Sequence, residues 1–188
     1  AILAFAINYA FSPVAYGGLP QGATVVNGQV TITQPSSGVM NVRASNGSII
    51  NWNQFSIGAG DLVRFVQPTA SSAVLNRVVG SQVSEIMGRL EANGRVFLIN
   101  PNGIVFGPGA RVDTNGFLAS TLSLSDADFL AGKLRFLGDA TSGTIRNEGL
   151  ITVAPGGSIA LIAPNIENAG IIQAPGGPDE DTSGGFTH

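Results

Sequence analysis

Two stretches in the last third of the chain repeat each other. Ile145-Arg146-Asn147-Glu148-Gly149-Leu150-Ile151-Thr152-Val153-Ala154-Pro155-Gly156-Gly157 matches Ile166-Glu167-Asn168-Ala169-Gly170-Ile171-Ile172-Gln173-Ala174-Pro175-Gly176-Gly177, at an offset of 21 residues at the Ile, Asn and Gly positions and of 20 at the closing APGG. Each copy sets short apolar strands between glycine turns, which at this period is the signature of a β-solenoid rung. One rung cannot bury its own apolar face. Stacking lets its backbone pair with the next rung at about 4.8 Å while inward Ile, Leu and Val form a continuous core. Asn at matching corners is expected to stack into amide ladders.

Composition agrees with turn-rich all-β structure. Charged residues are 11% against 44% apolar, with 26 Gly, whereas helical and disordered chains normally carry many more charges for solvation. The net charge of -3 leaves no basic footprint for nucleic acid. The absence of cysteine excludes a disulfide framework, a thiol nucleophile and Cys-ligated metal.

The most pronounced turn lies at Asn100-Pro101-Asn102-Gly103, between the apolar runs 96–99 and 104–106. Asn suits the first position of a type I turn, Pro presets φ at the second, Asn tolerates the third and Gly suits the fourth. The flanking runs are continuously apolar rather than alternating, which predicts parallel or fully covered strands.

Along the chain, residues 1–17 read as a signal-peptide remnant or as a first capping strand, since no charge precedes Arg43 and the apolar run is shorter than the ~20 residues of a membrane span. Asn27-Gly28 between 23–26 and 29–33 predicts a hairpin. Strands are expected at 39–43, 48–51 and 62–66, with Trp52 and Phe55 as core or end-cap side chains. The segment 74–90 has some helical spacing, but Gly80 and Gly88 interrupt it and favour strands. Asp126 and Asp128, flanked by Ser123 and Ser125 and near the only lysine, Lys133, read as a solvated loop rather than an acid-base or cation site. Asn46-Gly47-Ser48 is a single glycosylation-type sequon. The tail 179–188 reads as frayed and as a truncation point. An uncapped solenoid exposes a strand edge, so further rungs are expected downstream. At roughly 20 residues a rung, seven or eight rungs and about 35 to 40 Å of stack are expected here.

The run from Asn76-Arg77-Val78 through Gln82-Val83-Ser84, Gly88-Arg89-Leu90, Asn93-Gly94, VFLINPNGI at 96–104 and Asn115-Gly116-Phe117-Leu118-Ala119-Ser120-Thr121-Leu122 resembles the N-terminal secretion (TPS) domain of two-partner secretion exoproteins of the filamentous-haemagglutinin and high-molecular-weight-adhesin type. The resemblance covers 18–178 as a single domain. A second tetrapeptide of part of that family, NPNL, is absent; the chain has Val74-Leu75-Asn76-Arg77 in that region, closer to the adhesin branch.

The resemblance implies a right-handed parallel β-helix with an N-terminal β cap and small antiparallel extra-helical hairpins. It implies passage through the Sec machinery to the periplasm, and recognition there by the POTRA domains of a dedicated outer-membrane β-barrel transporter of the TpsB type. Folding at the cell surface of a Gram-negative bacterium, or release from it, would follow, with the domain nucleating the downstream β-helix. No enzyme activity, cofactor or metal is implied, and a host-cell receptor belongs to the full-length protein. Asn100, Pro101, Asn102 and Gly103 match the family's secretion motif, and Asn76, Asn115 and Gly116 are further family-matching positions. The residues themselves favour a turn-shaping role for the motif over direct contact with the transporter. Two other classes stay open at this point: an adhesive β-helix module binding host glycan or protein, and a polysaccharide-cleaving β-helix enzyme.

Overall fold

The computed structural model describes residues 18–138 and 140–176. The expectations for 1–17 and for the tail 179–188 lie outside them. The chain runs as a coil that visits three faces in fixed order. After β1 (Thr24–Asn27) and β2 (Val30–Ser36), it enters the coil with β3 (Val39–Ala44) on a first face and β4 (Ser48–Trp52) on a second. Ile57 bridges in parallel to the third face. The next turn is β5 (Leu62–Val66), β6 (Ala73–Val78) and β7 (Ser84–Ile86), and the one after it β8 (Arg89–Ala92), β9 (Arg95–Ile99) and β10 (Ile104–Phe106). Then come β11 (Arg111–Thr114) and β12 (Gly116–Ser120), followed by an excursion with β13 (Ser123–Leu124), α1 (Asp126–Leu130) and β14 (Phe136–Leu137). The coil resumes with β15 (Ile145–Asn147), β16 (Leu150–Val153), β17 (Ile159–Ile162), β18 (Ile166–Asn168) and β19 (Ile171–Gln173).

Within each face, pairing is parallel from rung to rung. The first face orders as β19-β16-β11-β8-β5-β3-β2, the second as β1-β4-β6-β9-β12-β17 and the third as β18-β15-β10-β7. This is a parallel β-helix, and the repeat that opened the sequence analysis is a literal stack: Ile145 is level with Ile166, Asn147 with Asn168 and Leu150 with Ile171. The expected amide ladder is present there. Asn147 Nδ2 donates to Asn168 Oδ1 at 2.9 Å, and each Asn Oδ1 accepts from the backbone NH two residues on, Gly149 or Gly170.

The rung count differs from the expected seven or eight. On the first face Val39 is level with Leu62, Leu62 with Arg89, Arg89 with Arg111, Arg111 with Leu150, and Leu150 with Ile171. The described chain therefore has six levels, about 24 Å from first to last at the usual strand spacing. Dividing the length by 20 overcounts because the second turn is longer than that and because the excursion through β13, α1 and β14 lies between β12 and β15 without adding a level.

The hairpin expected at Asn27-Gly28 does not form. β1 pairs antiparallel with β4 on the second face, whereas β2 pairs antiparallel with β3 on the first. The dipeptide is instead a corner laid over the corner of the rung below: Asn27 Nδ2 donates to Gly47 O at 2.9 Å and Gln29 N to Ser45 Oγ at 2.9 Å. Gly28 adopts φ +84, and a Cβ there would strike Ser48 Oγ and Ser45 Oγ, so the corner keeps the glycine while the two strands diverge. By separating, β1 and β2 cover two open edges of the first rung instead of pairing with each other. The hairpin that does form joins β2 to β3, and β13 with β14 makes a second antiparallel pair outside the coil.

The core inside the coil includes Trp52, Phe55, Phe65, Leu90, Val96, Leu98, Phe106 and Ile151. Trp52 and Phe55 meet edge to face at 5.5 Å, which places both in the core as expected. A second cluster lies on the outer side of the second face, where Ile49, Leu75, Phe97, Ile99 and Leu118 are covered by Leu124 and Phe129. This explains the unbroken apolar run of β9. Val96 and Leu98 point into the coil, while Phe97 and Ile99 point outward and are covered by the excursion.

That covering corrects the reading of Asp126 and Asp128 as a solvated loop. They begin α1, whose N-cap is Ser125: its Oγ accepts from Asp128 N at 3.1 Å and donates to Asp128 Oδ2 at 3.0 Å. Arg77 fastens the helix to the coil, its Nη2 donating to Leu124 O and Asp126 Oδ1, both at 2.7 Å. The helix exists to hold Phe129 against Phe97, ring centroids 5.3 Å apart. Ser125→Ala should lower stability by about 1 kcal/mol, the usual cost of losing an N-cap, as read by urea denaturation followed by circular dichroism.

Candidate functional site: the NPNG turn

The turn is closed by Gly103 N donating to Asn100 O at 3.1 Å. Asn100 is wholly buried, and its side chain works in two directions. Its Oδ1 accepts from Asn102 N at 3.0 Å and from Asn102 Nδ2 at 2.9 Å, bracing the turn from within. Its Nδ2 donates to Gln82 O and Ser84 Oγ, both at 2.9 Å, in the rung below. Asn102 is exposed, yet its Nδ2 reaches Gly80 O at 2.9 Å. The two Asn amides together hold the segment between β6 and β7.

The rung above is held by backbone. Gly143 N donates to Pro101 O at 2.8 Å and Ile104 N to Thr144 O at 3.1 Å. Gly143 lies so close over the turn that a Cβ on it would be 2.5 Å from Asn102 C, Asn102 O and Gly103 N. This close approach was not singled out in the sequence; its signal, a glycine two residues ahead of a rung strand, is common to many loops. Pro101 and Asn102 form the exposed crest of the arrangement.

The three further positions do not join this crest. Asn76 is buried on the second face, where its Oδ1 accepts from Trp52 Nε1 at 2.9 Å and its Nδ2 donates to Phe97 O at 3.3 Å. Asn115 stands at another corner, its Nδ2 donating to Ala70 O at 2.9 Å. Gly116 opens β12, packed against the stem of Arg95. Among the described residues no group of three or more His, Cys, Asp or Glu is placed to hold a metal ion, and no helix is long and apolar enough to cross a membrane.

A family model described as the TPS secretion domain matches residues 17–178. The chain belongs to the TPS secretion domain family. TPS domains of this kind are carried by exoproteins that leave Gram-negative bacteria by two-partner secretion, which implies a TpsB-type transporter as the second partner, and they are secretion domains rather than enzymes. The crystal structure of the HMW1 secretion domain from Haemophilus influenzae is similar, with a TM-score of 0.78 and 43% identity over 81% of this chain and 41% of that one. A heme/hemopexin-binding protein of Haemophilus influenzae strain Rd is 39% identical over 106 residues, 56% of this chain and 12% of its own length. Another heme/hemopexin-binding protein of Haemophilus influenzae is 35% identical over 132 residues, 70% of this chain and 14% of its own. This TPS chain therefore spans about an eighth of the length of the curated relatives it matches.

Proposed function

We propose that residues 18–178 are the secretion-targeting and fold-nucleating domain of a large exported surface protein, carried by the Sec machinery to the periplasm and bound there by the POTRA domains of its outer-membrane transporter. The polarity of the stack carries this reading. Antiparallel β1 and β2 cover one end, and each level beyond the first pairs parallel with the level before it. A parallel ladder of this kind is a template on which each successive rung gains backbone pairs and burial together. Growth in one direction makes each docked rung an obstacle to backsliding through the transporter.

The secretion motif Asn100, Pro101, Asn102 and Gly103 serves this role through shape. Its buried Asn ties the turn to the rung below, its backbone meets the rung above, and its exposed crest is the part of it a transporter can touch. The parent is read as a surface adhesin; haem and hemopexin binding, named for the curated relatives, would reside in passenger sequence beyond this domain.

Co-expression with and without the cognate transporter tests the reading, with secreted protein as the measurement. Secretion is expected to require the partner, and Asn102→Ala should leave the fold intact while reporting whether the crest is a contact. Equal secretion in the absence of the transporter would overturn the proposal.

A further inference from the structure

The outer surface of the first face has a charge the rest of the chain does not share. Arg43, Arg64, Arg89 and Arg111, half of the eight arginines, project from β3, β5, β8 and β11, one per rung. The acids among them are Glu91 and Asp113. Glu91 is shared, pairing with Arg64 at 3.1 Å and also with Arg89. Arg43 and Arg111 have no ion-pair partner among the described residues. The face thus carries four positive and two negative side chains in a chain whose net charge is -3.

At its capped end this face is concave. Two adjoining hollows of about 420 and 320 Å³ share Thr31, Arg43 and Val66; Gln29 and Gln67 line the first, and Thr33, Asn41 and Arg64 the second. The register sets these groups side by side, with Thr33 beside Asn41 and Asn41 beside Arg64, then Thr31 beside Arg43 and Arg43 beside Val66. Thr31 and Thr33 are exposed, Arg43 has no ion-pair partner among the described residues, and the exposed Arg64 shares Glu91 with Arg89. Exposed hydroxyls beside such cations suit a ligand that brings hydroxyls together with anions.

The geometry points to this groove as a binding site for an acidic saccharide, with Arg43 and Arg64 on its carboxylate or sulfate groups and Thr31 and Thr33 on its hydroxyls. Arg89 and Arg111 continue the track along the helix axis at the rung spacing of about 4.8 Å, so a linear polymer bearing repeated anions gains contacts as it lengthens. Guanidinium forks favour planar oxyanions over diffuse negative charge. A run of acidic side chains from a protein would satisfy the arginines but leave the Thr31 and Thr33 hydroxyls without hydroxyl partners.

The test uses the purified chain and three immobilised probes: a heparin octasaccharide for sulfate, an oligogalacturonate for carboxylate alone, and polyglutamate as an acidic polypeptide. Binding to one or both saccharides is expected, weakening with salt and falling about tenfold in Arg43→Gln/Arg64→Gln. Arg135→Gln, on the excursion, should bind as the unaltered chain does, and thermal melts of both variants should match it. Which saccharide binds decides between sulfate and carboxylate. Polyglutamate binding as tightly with the same arginine dependence would overturn the saccharide assignment. Failure of both saccharides to bind, or full binding by the folded double variant, would overturn the site.

Discussion

Asn100→Ala is expected to lower folding stability by about 3 kcal/mol or more. The side chain is wholly buried and connects four groups: Gln82 O and Ser84 Oγ below it, and the backbone and side-chain NH groups of Asn102 beside it. Truncation strands the wholly buried Ser84 Oγ and unmakes the bonds to Gln82 O and Asn102, and an unmet buried polar group costs about 1–3 kcal/mol with about 1 kcal/mol more for each lost bond nearer the surface. Asn102→Ala removes bonds from an exposed amide and should cost about 1 kcal/mol or less. Equilibrium urea unfolding of the two variants separates them. Were Asn100→Ala as stable as the unaltered chain, the turn-shaping account of the motif would fail and direct contact would have to replace it. If stability follows this order while export is lost in both, the crest at Asn102 makes a contact in addition to the geometry set by Asn100.

Trp52→Ala should be the most damaging single change, costing about 3–5 kcal/mol as large aromatic truncations in cores do. Trp52 fills the first rung at 1% exposure, stacks edgewise on Phe55 and anchors Asn76 through its indole NH. Trp52→Phe keeps much of the packing but leaves Asn76 Oδ1 unpaired, so its cost should be nearer the 1–3 kcal/mol of an orphaned buried acceptor. The difference between the two variants measures packing apart from hydrogen bonding. Circular dichroism is the appropriate probe, because Trp52 is the only tryptophan.

What was legible in the sequence followed from periodic or compositional signals. The repeat at 145 and 166 gave the stack and its register, since the same residues occupy the same level. NPNG located β9 and β10 because Pro and Gly constrain backbone independently of their surroundings. The unbroken apolar run at 96–99 announced a covered strand, but not that two different clusters would cover it. What failed was tertiary in origin. Asn27-Gly28 has the local chemistry of a hairpin, and pairing with β3 and β4 overrode it because those edges were available. Helix α1 has five residues, too few for any periodicity; Ser125 three residues ahead of Asp128 was its sole cap signal. The site was legible as a turn and invisible as a clamp, because Gln82, Ser84 and Gly143 come together only when three rungs are stacked.

The excursion between β12 and β15 has a consequence for how such a coil tolerates change. Arg111 and Leu150 are neighbours in the ladder although 39 positions separate them, just as Leu150 and Ile171 are neighbours at 21. Register is therefore indexed by level and is indifferent to contour length between levels. A corner can lengthen without disturbing the strands on either side, provided the added chain leaves and re-enters at the same height. An epitope or reporter spliced between Gly132 and Lys133 would enlarge an existing detour, and the coil above and below would have no means of registering that it was there.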